Sequence, residues 1–237
     1  MRKRGEVPEE YRITAVEAGS KRGRIAVFVD GEQVLDLTKA FAEQSGLRVG
    51  LSLLPATQDE IRQTAALQEA KVAAVKALGI RARTRSELQR KLLSRGLPPA
   101  AVTETLDWLA SRNYLDDEQY AQQRWQSLSQ RKLGSQAIFR KLVQEGVPKA
   151  IAEQVMAAQD TTLHETELVR ELAMQRNESL KKLPWPQRRQ RLYGFLARRG
   201  FSTEAISEAL VRLELDQDSA PEVFFDDHEE APPFEEA

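Results

Sequence analysis

The sequence contains no cysteine and only two histidines among its 237 residues. The absence of thiols excludes disulfides and thiolate metal sites, and it fits a reducing compartment such as the cytosol. The chain also lacks an apolar run of about 18 residues, the length that crosses a bilayer, and its first residues lack the apolar stretch of a signal peptide. We therefore expect a cytoplasmic protein with no membrane partner.

Motifs of the common enzyme classes are absent as well. There is no glycine-rich phosphate-binding loop, no HExxH zinc helix and no GxSxG nucleophile elbow. An adjacent pair of carboxylates, Asp116-Asp117, stands where a helix is expected to begin, and no neighbouring histidine or further carboxylate cluster completes a ligand set. The sequence therefore predicts a non-enzymatic protein with no catalytic residues, no metal site and no cofactor.

Glycine and aromatic residues are few, with 12 glycines and 6% aromatics, as expected of a mainly helical protein. An apolar pattern recurs around three glycines, Gly96, Gly146 and Gly200, at intervals of 50 and 54 residues. In each copy one apolar residue stands eight positions before the glycine and another stands four before it: Leu88 and Leu92, Ile138 and Leu142, Leu192 and Leu196. This period is typical of stacked helical repeats.

Each copy predicts a helix, a glycine turn and a second helix. Glycine adopts the left-handed conformation that ends a helix, and the Pro or Ser after it favours the start of another. A further helix precedes each copy, so each repeat has three helices. We predict a mainly α protein of tandem three-helix repeats, elongated and solenoid-like. A linker helix and repeat 1 occupy 56–112, repeat 2 occupies 113–158, and repeat 3 occupies 159–213.

The first segment, 1–55, has a different pattern. Ile25, Val27 and Val29 alternate with other residues, and Asp30-Gly31 separates them from a second apolar run. An Asp-Gly pair between alternating runs is a strong hairpin signal, because both turn positions need a positive φ. We expect a small β-hairpin-rich module before the repeats.

A long linker helix is predicted after this module. Thr57 and Glu60 have the spacing of a capping box just after Pro55. A stripe of apolar residues at helical spacing predicts the buried face of the helix: Ile61, Ala65, Val72 and Val75.

The net charge of −1 hides an asymmetry between the body and the C-terminal segment. All 35 lysines and arginines lie at or before Arg212, whereas 10 of the 36 acidic residues lie in 214–237. The body therefore carries +9 and the tail −10, which favours a polyanionic partner for the body and a tail that competes for its site. We expect 214–237 to be a disordered acidic tail, with Phe224-Phe225 available to dock on a basic groove or a partner.

Three phrases of the sequence carry a family resemblance: RTRSELQRKLLSRGL, NYLDDEQYAQQRW and RKLGSQAIFRKLVQEGV. Together with their surroundings, about 72–213, they resemble the RecX family of bacterial recombination regulators. The resemblance implies a modulator of the RecA recombinase that binds along the groove of the RecA filament on DNA. It also implies inhibition of the ATPase, coprotease and strand-exchange activities of RecA in homologous recombination, DNA repair and the SOS response.

A basic pair recurs within the repeated phrase. Arg90-Lys91 and Arg140-Lys141 stand two and three positions after the first apolar residue of their copies, which turns them away from the apolar stripe. The third copy has other arginines instead. We predict a basic strip that contacts RecA and DNA phosphates, formed by Arg81, Arg83, Arg85, Arg90, Lys91, Arg95, Arg124, Arg131, Lys132, Arg140, Lys141, Arg188, Arg189, Arg191, Arg198 and Arg199.

The main alternative is a DNA-binding transcriptional regulator of the helix-turn-helix type, since two helices joined by a glycine turn also describe that motif. Its second helices would be PPAAVTETLDWL, PKAIAEQVM and STEAISEALVRL, which contain few base-reading residues. Contacts to single- or double-stranded DNA are therefore expected through phosphates. We expect a monomer that binds the RecA filament.

Overall fold

The computed structural model describes residues 11–159 and 161–218. Tertiary contacts divide the chain into two compact units. Unit 1 contains the residues up to Arg124 together with Leu142–Ala152, and unit 2 contains Trp125–Lys141 together with the residues from Glu153 onward. Repeat 2 therefore contributes residues to both units.

An antiparallel sheet of three strands begins the described chain: β1 (Ile13–Ala18), β2 (Arg24–Val29) and β3 (Glu32–Thr38), in that order. Val29 pairs with Glu32 across the turn, where Asp30 and Gly31 have φ of 52° and 85°. These positive φ values are those of the two-residue hairpin that the Asp-Gly pair predicts. A short helix, α1 (Lys39–Gln44), follows the sheet.

Helix α2 (Pro55–Leu78) is tied to the sheet by an arginine. The Arg24 guanidinium donates to Asp36 of β3 at 2.8 Å and to Glu69 of α2 at 2.9 Å. Arg24 therefore joins the sheet to the helix, and its charge is paired with carboxylates of unit 1.

Two details predicted for α2 are wrong. The helix begins at Pro55, with Leu54 as its N-cap and no capping side chain, because the fixed φ of proline suits the first helical position. Val72 and Val75 are 65% and 52% exposed, while the buried face of the helix is formed mainly by alanines: Ala70, Ala73, Ala74 and Ala77. These small side chains pack in one core with residues of the next two helices.

The repeats follow as three sets of three helices, which confirms the predicted fold class of tandem three-helix repeats after a β module. Repeat 1 consists of the C-terminal part of α2, followed by α3 (Arg85–Leu93) and α4 (Pro99–Ser111). Repeats 2 and 3 comprise α5 (Asp117–Ser129), α6 (Ser135–Gln144), α7 (Lys149–Ala158), α8 (Thr161–Glu178), α9 (Trp185–Arg198) and α10 (Thr203–Asp218). The predicted apolar stripes are buried: Leu88, Leu92, Ile138, Leu142, Leu192 and Leu196 are at most 1% exposed.

Helix α10 continues to Asp218, into the segment that the sequence predicts to be disordered. Its core-facing residue Leu213 is 6% exposed, so the apolar pattern of the third repeat supports the helix up to the start of the acidic segment. The remaining residues of the predicted tail, 219–237, lie outside the described residues.

In unit 1 the glycine turn of repeat 2 packs on the start of α3, a contact that we call the first joint. The Thr84 hydroxyl donates to the carbonyl oxygen of Glu145 at 2.9 Å and accepts from the backbone N–H of Glu87 at 3.1 Å. Thr84 is fully buried. A Cβ at Gly146 would lie 2.9 Å from the same hydroxyl, so the turn can pack this closely on α3 only because position 146 has no side chain.

In unit 2 the glycine turn of repeat 3 packs on the start of α6, the second joint. Here backbone groups make the contact, because the N–H of Gly134 donates to the carbonyl of Arg199 at 2.9 Å and the N–H of Gln136 donates to that of Gly200 at 3.1 Å. A Cβ at Gly134 would overlap the Gly200 carbonyl, and a Cβ at Gly200 would overlap Ala137.

Each joint also contains a carboxylate from the first helix of the later repeat. In the first joint, Asp117 accepts from the backbone N–H of Arg85 at 2.8 Å, and burial raises the pKa of this carboxyl. In the second, Glu165 accepts from the Ser135 hydroxyl at 2.9 Å and from the N–H of Ser202 at 3.0 Å. These carboxylates satisfy N–H groups at helix starts, which otherwise lack a partner.

Candidate partner-binding surface

The same basic pair lies on the exposed side of two equivalent helices. Arg90 and Lys91 are in the last turn of α3, and Arg140 and Lys141 stand at the matching positions of α6. Three of the four residues are exposed and Lys91 is half-buried. None of them forms an ion pair with a residue of 11–159 or 161–218. Their charge is favourable near a helix C-terminus, and it remains available to a partner.

An exposed apolar residue accompanies each pair. Leu93 and Val143, three positions before the glycine, are 38% and 40% exposed. Residues three apart on a helix are neighbours, so Leu93 lies beside Arg90 and Val143 beside Arg140. Sequence reasoning missed these two residues, although their equivalent positions in the repeated phrase were visible. A mixed cationic and apolar surface is suited to binding a protein as well as phosphates.

Four other predicted cations of unit 1 lie near the start or end of α3. Arg81 and Arg83 both bind the Glu87 carboxylate, and the Arg83 side chain, only 9% exposed, also donates to the Ala77 carbonyl. Arg85 donates to Asp107 at 2.5 Å. Arg95, in the turn before Gly96, is exposed. Arg81, Arg83 and Arg85 are therefore engaged within unit 1.

Arg124 belongs to a partly buried network at the first joint. Its guanidinium donates to Glu145 at 2.6 Å, and the Tyr120 hydroxyl donates to the same carboxylate at 2.9 Å. Burial, assisted by the hydrogen bond to Glu145, raises the pKa of Tyr120 to about 12. This network stabilises the turn that carries Glu145, so Arg124 is engaged internally.

Two predicted cations of unit 2 take part in contacts at the second joint. Lys132 donates to Glu171 at 2.8 Å, which lowers the pKa of that carboxyl. Arg199 donates to the Lys132 carbonyl at 3.2 Å and lies 4.9 Å from the centre of the Phe195 ring. Arg131, the neighbour of Lys132, is exposed.

Helix α9 has arginines and no acidic residue. Arg188 is half-buried, lies 5.4 Å from the Trp185 ring centre and donates to Asn177 at 3.4 Å. The remaining predicted arginines of the helix are exposed: Arg189, Arg191 and Arg198. Among the predicted cations, those that are exposed and have no ion pair inside a unit thus lie mainly on the second helix of each repeat.

No group of three or more His, Asp or Glu side chains is placed to hold a metal ion in the part of the chain that the structure describes. Among the same residues, no helix is both long enough and apolar enough to cross a bilayer.

The fold and the surface define a class of protein: a small antiparallel sheet followed by tandem three-helix repeats whose second helices present cations. Comparison with family models gives matches over all three repeats. Residues 70–109 match the first three-helix domain of RecX, 116–156 match the second, and 164–210 match the third.

Curated relatives and solved structures agree with these matches. The regulatory protein RecX of Chlorobium limicola is 33% identical over 146 residues, covering 61% of this chain and 89% of that protein. The regulatory protein RecX of Listeria innocua is 26% identical over 216 residues, covering 89% and 79% of the two chains. The chain belongs to the RecX family.

Two solved structures show the same fold. A crystal structure of regulatory protein RecX superimposes with a TM-score of 0.60 at 23% identity, covering 83% of this chain and 97% of that one. The crystal structure of RecX from Lactobacillus salivarius gives a TM-score of 0.59 at 22% identity, covering 63% and 97%.

Proposed function

We propose that this protein binds the RecA recombinase filament, contacts both RecA and the DNA phosphates, and inhibits the ATPase, coprotease and strand-exchange activities of RecA. It acts as a cytoplasmic monomer in homologous recombination, DNA repair and the SOS response, without a cofactor or a reaction of its own. Membership of a family of regulatory proteins supports the regulatory part of this proposal.

The observation that carries the proposal is the recurring basic pair. Arg90-Lys91 and Arg140-Lys141 occupy equivalent positions, have no ion pair in the described chain, and stand beside Leu93 and Val143. Cations that no carboxylate neutralises are available to displace counterions from phosphates. A repeated contact point suits a partner that is itself a polymer with repeated phosphates and subunits.

Charge reversal tests the role of these pairs. The variant with Arg90, Lys91, Arg140 and Lys141 all changed to Glu should lose inhibition of DNA-dependent RecA ATPase while keeping its helical circular dichroism. The double variants Arg90→Glu/Lys91→Glu and Arg48→Glu/Lys182→Glu change the net charge by the same amount as each other, so the second is a matched control for the first. The first should weaken inhibition and the second should not. Unchanged inhibition by the fourfold variant would reject the assigned surface.

A salt series separates the proposed function from the helix-turn-helix alternative. Binding is measured to bare single-stranded DNA, bare duplex, free RecA and RecA-DNA filaments. The proposal expects the tightest binding to filaments, with a log-log salt slope that the fourfold variant reduces by up to about four if each cation contacts one phosphate. Sequence-selective binding to bare duplex would support the alternative instead.

A further inference from the structure

An apolar groove lies in unit 1 between the end of α2 and the end of α4. Its volume is about 560 Å³, and its lining includes Val75 and Leu78 of α2, Trp108 and Leu109 of α4, and Tyr114 just after α4. We call it the α2/α4 groove. The basic pairs are not among its lining residues, so it is separate from the surface of the proposed function.

Large apolar side chains around this groove are open to solvent. Val75 and Tyr114, which line the groove, are 52% and 66% exposed, and Val72, about one helical turn before Val75, is 65% exposed. The cause is the orientation of α2, which turns its alanine face into the core and leaves its valines outside. Exposed large apolar side chains beside a groove are typical of an interaction site.

The groove also has a cationic edge. Lys71 and Arg112 both lie 5.3 Å from the centre of the Trp108 ring, and Lys76 is exposed one turn further along α2. None of these three cations has an ion pair with a carboxylate in the described ranges. An occupant that complements the groove therefore needs aromatic or aliphatic anchors next to acidic residues.

One part of this chain has that chemistry. Residues 219–237 read SAPEVFFDDHEEAPPFEEA, with no lysine or arginine. The adjacent Phe224-Phe225 is preceded by Glu222 and followed directly by Asp226 and Asp227. We propose that the α2/α4 groove binds the segment 219–237, with Phe224 and Phe225 against Val72 and Val75 and the neighbouring carboxylates facing Lys71 and Arg112.

The charges and the apolar groups favour this occupant over a nucleic acid. A nucleotide base needs an open aromatic face to stack on. Of the two rings that line the groove, Trp108 already has two cations packed over it, which leaves Tyr114 alone for stacking. The phenylalanines would cover the exposed valines with apolar surface, and the acidic residues would bring the charge opposite to that of the cationic edge. The inference goes beyond the proposed function and does not depend on RecA.

Disulfide trapping in the full-length chain tests the contact, because the natural sequence has no cysteine. The double variant Val75→Cys/Val223→Cys is oxidised mildly and analysed on a non-reducing gel. A matched control places the first cysteine at Gln63, an exposed position of the same helix outside the groove. The groove pair should cross-link at least about tenfold faster than the control pair, since docking raises the effective concentration. Equal rates would overturn the proposal.

Two further changes in the groove pair separate a specific contact from random collision. Phe224→Ser/Phe225→Ser should reduce the rate to that of the control by removing the anchors. Lys71→Glu/Arg112→Glu should reduce it at low salt, and added salt should slow the unmodified groove pair. A cross-linking rate that none of these changes lowers would also contradict the proposed contact. If the groove pair cross-links no faster than the control pair and single-stranded DNA protects the thiol introduced by Val75→Cys from alkylation, the groove binds nucleic acid and this occupant is rejected.

Discussion

The two joints connect successive repeats at equivalent positions, yet different groups make the contact. Twelve positions before the glycine of its repeat, the first joint has Thr84 and the second has Gly134. Thr84 uses its hydroxyl to hold the Glu145 carbonyl, whereas Gly134 uses its backbone N–H to hold the Arg199 carbonyl. One joint therefore depends on a side chain and the other on the absence of one.

Despite this difference, the two joints meet the same two physical requirements. In each joint the start of the second helix of the earlier repeat receives the glycine turn of the next repeat, and we call this start the seat. The seat must bind a carbonyl of the turn and leave room for its glycine. A buried hydroxyl meets the first need in unit 1, and close backbone approach meets both needs in unit 2. The two joints should therefore respond differently to the same kinds of substitution.

The largest effect is expected at the second joint. Gly200→Ala places a Cβ against Ala137 at a φ of +80°, so steric overlap and left-handed strain act together. We expect a loss of about 3 to 5 kcal/mol in the free energy of unfolding. Gly96→Ala is the matched control, because its φ is +82° but no atom lies within 4 Å of the added carbon. It should lose about 1 to 2 kcal/mol by urea denaturation. Equal losses would show that the seat is looser than described.

A smaller effect is expected from removing the hydroxyl of the first joint. Thr84→Val keeps the shape of the side chain but loses both the cap on α3 and the bond to Glu145, which should cost about 2 kcal/mol. Ser135→Ala in the second joint loses one hydrogen bond to Glu165, because the joint's backbone bonds remain, and should cost about 1 kcal/mol. Urea midpoints of the two variants give the comparison, which fails if Ser135→Ala is the more damaging.

The smallest effect concerns Tyr120, which donates to Glu145 at the first joint. The equivalent of Glu145 at the second joint is Arg199, which cannot accept such a bond. The folded pKa of Tyr120, about 12, lies above the ordinary tyrosine value of 10.0, so the folded state keeps the proton to a higher pH than the unfolded state does. Its contribution to stability is present below pH 10 and declines as the pH rises from about 10 to 12. The stability difference between the natural chain and Tyr120→Phe should shrink over that range in urea titrations. A constant difference would contradict the shifted pKa.

Local patterns predicted the fold well. Leu88 and Leu92, with their counterparts, identified the buried stripes, and Asp30-Gly31 identified the hairpin, because helical spacing and turn conformation depend on neighbouring residues. The face of α2 was mispredicted, since valine is the more apolar residue but alanine permits closer helix packing. The five segment boundaries stay predictions, apart from the helical continuation of α10 to Asp218.

The candidate surface was harder to predict because the state of a cation depends on distant residues. Arg124 and Arg85 look as available as Arg90 in the sequence, but they bind Glu145 and Asp107. Those partners come close only when helices pack, so no local pattern identifies them. The basic pairs stay predicted contact residues, and their freedom from internal ion pairs is what the structure adds.

The seat also limits how the series of repeats can grow. At the position equivalent to Thr84 and Gly134, repeat 3 has Arg188, whose side chain is already packed over Trp185. Helix α9 moreover begins at Trp185, so Arg188 lies one turn inside the helix and its backbone N–H already donates to the Pro184 carbonyl at 3.1 Å. A further copy of the repeat, added by gene duplication after the third, could therefore not dock through a hydroxyl as in the first joint or through a backbone N–H as in the second.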